Sequence, residues 1–324
     1  MKKLHELLKK PLLKGDVGIE IECEGERLFP HYSVLWKTEA DNSLRGQYPE
    51  KSCEWVLNVP IPKEDVRLAL KELFDVQAAN KAKFKFSFRT SVHIHINVGH
   101  LTRDQVMAMA YAYYLIEDLM LEYCAEHRRS NRFCLSIGQA EGAIPYIKRM
   151  ISIEEGLFSK SNPQNAIRYS SLNLEALFKY GSLEFRALEG NADIDRIDTW
   201  VKAIVNLRTF IEKIDDIRDV HDVFLFEGPK GLIERVLGNV ANFFKTKGYT
   251  NSISHAFSTT IELPFSYIER KEQVKPVEVK EKPVDLVLMD MAEEELIVEA
   301  MPVWQRIGAM RARPELMNAQ AIRN

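Results

Sequence analysis

Acids and histidines stand at alternating positions in four short, otherwise apolar stretches. They are Gly18-Ile19-Glu20-Ile21-Glu22, Cys53-Glu54-Trp55-Val56, Val92-His93-Ile94-His95-Ile96 and Ser182-Leu183-Glu184-Phe185-Arg186. Residues i and i+2 of a strand share a face, so Glu20 goes with Glu22, His93 with His95, and Glu184 with Arg186. On one sheet these faces would converge on a site rich in carboxylates and imidazoles, a donor set for divalent metal ions and phosphates. Each piece alone has an ordinary reading. E-x-E is usually a solvated face, H-x-H serves cores and surfaces as readily as metals, and E-x-R is commonly an exposed charged strand. The four together, in this order, make a specific pattern.

The elements that must position these residues can be read from periodicity and turn chemistry. Residues 17–23 read as a strand, with a second extended stretch at 34–38 and a turn at Asp41-Asn42-Ser43-Leu44. A strand over 54–59 stops at Pro60-Ile61-Pro62, and 63–74 has helical spacing. Residues 84–98 alternate as one long strand. Thr102 is the expected N-cap of a helix running through Val106 to Arg128, with Tyr111, Tyr113 and Tyr114 packing it on the sheet. A short helix over 152–158, a loop at Asn162-Pro163, strands over 169–174 and 183–188 around a turn at Tyr180-Gly181, and an amphipathic helix over 194–214 follow. Helical character continues around 233–244.

Composition bounds the function. The chain has 324 residues, 46% hydrophobic and 28% charged, which suits one large core or two modest ones. A net charge of -3 gives no basic excess to argue for nucleic acid. No apolar run reaches membrane-spanning length, and the basic N-terminus lacks the continuous apolar core of a secretory signal. Four scattered cysteines without C-x-x-C read as reduced thiols of a cytoplasmic protein, with Cys23 and Cys53 turned away from the acids.

In order, the four strand motifs resemble the amidoligase family of the glutamine synthetase and glutamate–cysteine ligase superfamily. Further segments support the resemblance, which covers about residues 16–215. Trp36 with Asp41-Asn42-Ser43-Leu44 and then Glu54-Trp55-Val56 and Pro60 looks like the family's D-x-S segment and following strand. Arg129 with Asn131-Arg132-Phe133-Cys134 looks like its R-x-N-x-[YF]-C segment. Arg168-Tyr169 with Leu172-Asn173-Leu174, then Gly181-Ser182-Leu183-Glu184-Phe185-Arg186, looks like its R-Y, L-N and G-[TS]-h-E-F-R block. One departure stands out: the family often has Gly just before the H-x-H strand, where this chain has Thr90-Ser91-Val92. Members occur in phages and bacteria, so a phage origin fits.

The resemblance implies an α+β, glutamine-synthetase-like catalytic fold: a curved, mainly antiparallel sheet with the site on its concave face and helices on the other. It implies ATP- and Mg2+-dependent joining of a carboxylate to an amine through an acyl phosphate, with the substrates a small molecule, a peptide or a protein side chain. Glu20, Glu22, Glu54 and Glu184, with His93, are the metal ligands expected on this reading, and an imidazole in the set opens the site to Mn2+. His95 is assigned to the nucleotide. Arg186 would reach the transferring phosphoryl group. Arg168 is a second phosphate candidate or a loop salt bridge. Asp41 either receives the ammonium of the amine substrate and helps to remove its proton, or caps its own turn, and Ser43 beside it is assigned to the cofactor.

Two other readings keep the fold: a guanidino-kinase-like phosphotransferase, and a non-catalytic virion-associated binding module. A His/Glu oxygenase-type metal site would leave the additional acids unexplained. Residues 1–269 are expected to form the catalytic domain, 270–290 a Lys/Glu/Val/Pro-rich linker, and 291–324 a helical tail that meets a protein partner or a second copy. A chain ending at Glu269 should therefore fold and bind Mg-ATP like the full chain. Thermal unfolding and nucleotide titration of the two would check this, and insolubility of the shorter chain would place the tail in the catalytic core.

Overall fold

The two faces of the strands are chemically opposite, and that contrast organises the molecule. The computed structural model describes residues 2–129, 131–161, 167–245 and 248–264. All lie in the first of the two units into which the chain divides, Met1–Arg270 and Lys271–Asn324. The expected linker, the tail and the Asn162-Pro163 loop fall outside the described residues.

Seven strands form one open sheet: β1 (Val17–Glu26), β2 (Trp36–Glu39), β3 (Ser52–Leu57), β4 (Lys83–Lys85), β5 (Val92–Asn97), β6 (Leu172–Asn173) and β7 (Ser182–Phe185). Their order is β2-β3-β1-β5-β7-β6, with β4 also on β1, and every pairing is antiparallel. Cross-strand partners share a face, so the register sorts the side chains. Ile21 pairs Trp55 and Val92, Ile94 pairs Ile19 and Phe185, and Phe185 pairs Leu172. All of these are buried. On the other face Glu22 pairs Glu54, Glu20 pairs His93, and Glu184 pairs His95 and Asn173.

Helices cover the apolar face. In chain order they are α1 (Leu4–Leu8), α2 (Val66–Ala79), α3 (Arg103–Tyr123), α4 (Ala143–Ser152), α5 (Glu155–Phe158), α6 (Glu175–Tyr180), α7 (Ile194–Ile211), α8 (Ile217–Leu237) and α9 (Thr250–Thr259). The Trp36 indole donates to the Ala69 carbonyl of α2 at 3.0 Å, and Tyr113 of α3 packs edge-on against Phe185 at 5.0 Å. Thr102 caps α3 by accepting from the Gln105 N–H at 3.2 Å, within a full capping box. Tyr111 is buried with Tyr113, whereas Tyr114 turns to Thr259 of α9 instead of the sheet. The four cysteines are buried free thiols, and Cys23 and Cys53 face each other on the apolar side. No helix among the described residues is long and apolar enough to cross a membrane.

Several elements differ from the sequence expectation. The long strand over 84–98 is broken. Lys85 pairs Glu24 and Val92 pairs Ile21, so residues 86–91 face only Glu22 and Cys23 of β1 and bulge outward. Thr90 closes the excursion, its hydroxyl accepting from Ser87 N–H at 2.9 Å and donating to Ser87 C=O at 3.0 Å. Apolar alternation continues through 86–91, so periodicity could not show the break. The strand expected over 169–174 shrinks to Leu172–Asn173, because Asn173 Oδ1 accepts from the Glu175 N–H at 2.9 Å and starts α6. The following strand likewise ends at Phe185. Helix α4 precedes the expected short helix, which begins only at Glu155. Helix α8 starts at Ile217 and is broken where Gly228 takes φ 69° ahead of Pro229, which cannot donate to the ladder.

Glu117 of α3 is a buried acid that ties this layer to the segment entering β6. Its carboxylate accepts the Ile137 N–H at 2.9 Å and the Ser171 hydroxyl. Burial, only partly offset by those hydrogen bonds, pushes its carboxyl up to about 8 from 4.5. Such a group costs nothing below the unfolded value and progressively more as pH climbs from 4.5 towards 8, because only the unfolded chain ionises freely. Glu117→Gln keeps an acceptor for Ile137 and removes the ionisation. Its Tm should exceed that of the wild type above pH 7, with the gap closing towards pH 5. A wild type that gains on the variant as pH rises would refute this.

Candidate active site

Period-two alternation on β1, β3, β5 and β7 delivers the acids and imidazoles to one place. His93 sits at the centre and is buried. Its Nδ1 lies 3.2 Å from Glu20 Oε2 and 3.5 Å from Glu184 Oε1, while its Nε2 lies 3.8 Å from Glu22 Oε1. Two groups therefore meet at His93: Glu20 with Glu184, and Glu22 with Glu54. Within each group, one ligand atom per residue lies within 4.8 Å of the others. A neutral imidazole has one free lone pair, so His93 can serve one of the two groups at a time. The carboxylates must complete the other.

Interactions with neighbours decide the charge of each acid. Burial opposes ionisation of Glu20, but His95 and His93 outweigh it and hold the carboxyl well below its usual range. Burial likewise opposes Glu184, and Arg186, His95 and His93 win, leaving it lowered. Burial prevails at Glu22, which is raised despite His93 and the Ser91 hydroxyl. At Glu54, burial and then the charges of Glu20, Glu22, Asp41 and Glu39 push the carboxyl up to about 9. Raised this far, Glu54 is a protonated acid at neutral pH. This donor set fits a divalent cation: hard oxygens in excess, one imidazole, and a charge crowding that a cation relieves.

Arg186 pairs with Glu184 and leaves its buried Nε without an acceptor among the described residues. Arg128, from the basic run after α3, is fully buried. It donates to the carbonyls of Arg186 at 2.6 Å and Ala187 at 3.2 Å, fixing the end of β7. Asp41 caps its turn by accepting from the Ser43 N–H at 2.8 Å and the Ser43 hydroxyl at 2.7 Å. The cap is thus realised, and both residues also line the central cavity.

That cavity has about 300 Å³ and is lined by Glu20, Glu22, Glu54, His93 and Arg186, with Asp41, Ser43 and the exposed Arg168 around it. His95 opens mainly into a second cavity of about 310 Å³, walled by Leu13, Val56, Val59, Pro60 and Tyr180 and sharing Glu20, Glu39 and Tyr180 with the first. Its ring takes Ser182 Oγ at 3.2 Å and Glu20 Oε1 at 3.2 Å, with Tyr180 edge-on at 5.6 Å. The structure therefore gathers all ten residues singled out in the sequence on one face of the sheet, with His95 in the second cavity.

Sequence reasoning missed several neighbours. Ser91 links Glu22 to His93, its oxygen 2.7 Å from His93 Nε2. Extending the alternation two residues back from His93 would have found it. Asn173 donates to Glu184 Oε2 at 2.6 Å. Arg89 reaches the cavity from the bulged segment 86–91, and nothing in periodicity signals it.

A divalent ion held by Glu54 would displace its proton. Mg2+ or Mn2+ should raise the Tm of the wild type and release protons, with affinity increasing as pH rises towards 9. Glu54→Gln should abolish most of the release. Calorimetry in buffers of differing ionisation enthalpy measures it, and no stabilisation by either ion would remove the metal assignment.

No curated protein matches the chain. A family model described as "Putative amidoligase enzyme" matches residues 31–207, more than half of the chain and most of the strands that build the site. The chain belongs to this amidoligase family.

Proposed function

We propose that this protein is an ATP- and Mg2+-dependent carboxylate–amine ligase that forms an amide or peptide bond through an acyl phosphate. The observation that carries the reading is the single polar face of the sheet, with Glu20, Glu22, Glu54 and His93 lining one cavity beside Arg186 and Glu184 against His93, in a chain of the amidoligase family. The open antiparallel sheet with its site on one face is compatible with a glutamine-synthetase-like catalytic fold, which is part of the proposal.

A carboxylate does not react with an amine at neutral pH, because its carbon is a poor electrophile and oxide a poor leaving group. Phosphorylation by ATP supplies the leaving group, and the amine then displaces phosphate. Glu20, Glu22, Glu54, Glu184 and His93 are the residues that would hold Mg2+, whose chemistry is to neutralise the triphosphate as the acid approaches it. Arg186 is placed to stabilise charge on the transferring phosphoryl group, with its fork held by Glu184. Arg168 at the cavity rim is a second phosphate contact.

The neighbouring cavity suits the nucleoside. Leu13, Val56, Val59 and Pro60 offer apolar contact, and His95 and Tyr180 offer polar groups next to Glu20. Asp41 retains free lone pairs beyond those used in its turn, so it can receive the amine and take its proton.

Hydroxylamine tests the reaction without knowledge of the natural amine. Wild-type protein with Mg-ATP, hydroxylamine and an acid substrate should yield a hydroxamate together with ADP and phosphate in equal amounts. Arg186→Lys keeps the charge and loses the planar fork, so it should fall by ~100-fold or more in hydroxamate formation with little change in Tm. A stable phosphoguanidine formed from a guanidino compound, or ATP consumption indifferent to acid and amine, would overturn the ligase reading.

A further inference from the structure

A third cavity of about 250 Å³ lies on the same side of the protein, and its chemistry is the reverse of the metal face. Arg45, Lys51, Lys85 and Arg89 line it, with Glu24 the single acid. Arg89 also lines the central cavity, so the two adjoin. Glu24 is buried, and its Oε1 accepts the Arg45 N–H at 2.7 Å, which directs the chain from the Asp41 turn along the cavity wall. Among the described residues none of the four cations has a carboxylate within ion-pair distance, although neighbouring Lys83 pairs with Glu26 at 3.6 Å.

Arg89 is the built element. Its guanidinium lies 5.3 Å from the Phe88 ring and 5.6 Å from the Phe133 ring, a double cation–π contact that fixes its plane. Its Nη1 donates to the Ser43 carbonyl at 2.9 Å, and Nε has no acceptor among the described residues. The bulge over 86–91, closed by Thr90, brings Phe88 and Arg89 to this position.

Resting on the ligase reading, we infer that this cavity binds a second anionic group of the acid substrate. That substrate would then carry at least one carboxylate besides the one that reacts. Four cations facing one acid attract an anion, and an oriented guanidinium selects a planar carboxylate. The alternative anion is the ATP triphosphate. Two observations favour the acid. The cavity includes none of the five metal-ligand candidates that a triphosphate must approach, and Phe88 is its single large apolar residue, whereas the His95 cavity includes Glu20 and is walled by Leu13, Val56, Val59 and Pro60. The three cavities then form a series, with nucleoside at one end, phosphoryl transfer in the centre, and the anionic end of the acid beyond Arg89.

Calorimetry on the full chain with Mg2+ and a non-hydrolysable ATP analogue present tests this, using pairs of probes that differ by one carboxylate: L-glutamate against L-glutamine, and glutarate against glutaramate. Lys51 and Lys85 are exposed and play no part in the reaction as described, so Lys51→Gln/Lys85→Gln should fold normally. The expected result is that at least one dicarboxylate binds tenfold or more tightly than its amide, with affinity falling as salt rises. The double variant should lose tenfold or more of that affinity and keep ATP-analogue affinity within twofold. Absence of dicarboxylate binding, or binding unchanged in the variant, would overturn the inference. So would a loss confined to the ATP analogue, which would assign the cations to the triphosphate. The ligase reading fails separately, through the hydroxamate assay: hydroxamate formed equally by wild type and double variant at limiting acid would retain the ligase and reject the pocket.

Discussion

Holding several carboxylates together in a desolvated place is the constraint on which this structure depends. Like charges repel, and each buried ion costs several kcal/mol in lost hydration. The opposite face of the same strands meets this cost. Ile19, Ile21, Trp55, Val92, Ile94 and Phe185 are all buried there against α2, α3 and α7, and each such side chain is worth about 1.5–3 kcal/mol. Strict alternation makes the two faces inseparable. A one-residue slip of β5 against β1 would turn His93 into the helical layer and expose Ile94 to the acids, so the core that stabilises the fold also enforces the register of the site.

Compensation within the site is unequal, and the inequality has a chemical consequence. Glu20 has two imidazoles and Glu184 has Arg186 as well, so both remain ionised. At Glu54, burial and the charges of Glu20, Glu22, Asp41 and Glu39 push the carboxyl up to about 9. The protein therefore supplies fixed cations on the β5–β7 side and leaves the β1–β3 side short of positive charge. A divalent ion entering between Glu22 and Glu54 would complete the balance. The Ser91 hydroxyl between Glu22 and His93 keeps that side ordered in the meantime. A glycine at position 91 could not make that link.

The part of this arrangement legible in the sequence is the part governed by local periodicity. Side-chain direction along a strand follows from i and i+2 alone, so the common face of Glu20 and Glu22, of His93 and His95, and of Glu184 and Arg186 could be read directly. The capping of α3 by Thr102 was legible for the same reason, since its partner Gln105 is three residues away. Register was not legible. That Glu22 meets Glu54 while Glu20 meets His93 depends on where strands far apart in sequence pair. Irregular backbone was hidden too. Residues 84–98 alternate as a continuous strand would, and only the Ser87–Thr90 hydrogen bonds reveal the bulge that brings Arg89 to the site. Helix α6 lay behind an apparent strand, because the bond from Glu175 N–H to Asn173 Oδ1 outweighs the pattern of the preceding residues.

The bulge also explains how one face can contain chemically opposite compartments without their charges collapsing onto one another. Had Arg89 continued a regular strand, cross-strand geometry would have set it beside the β1 acids, as His93 is set beside Glu20. Extruding the segment moves the guanidinium onto Phe88 and Phe133, which hold it by its faces and leave donors unspent. Arg186 shows the contrasting solution: it remains in register beside Glu184 and is paired with it. One arginine is thereby committed to the carboxylate cluster and the other withheld from it. The fold achieves this by a difference in backbone path, since both residues are of the same type and line the same cavity. An incoming anion can compete for the second arginine without first breaking an internal ion pair, and this makes Arg89, more than Arg186, the natural hinge between the metal face and the cationic cavity.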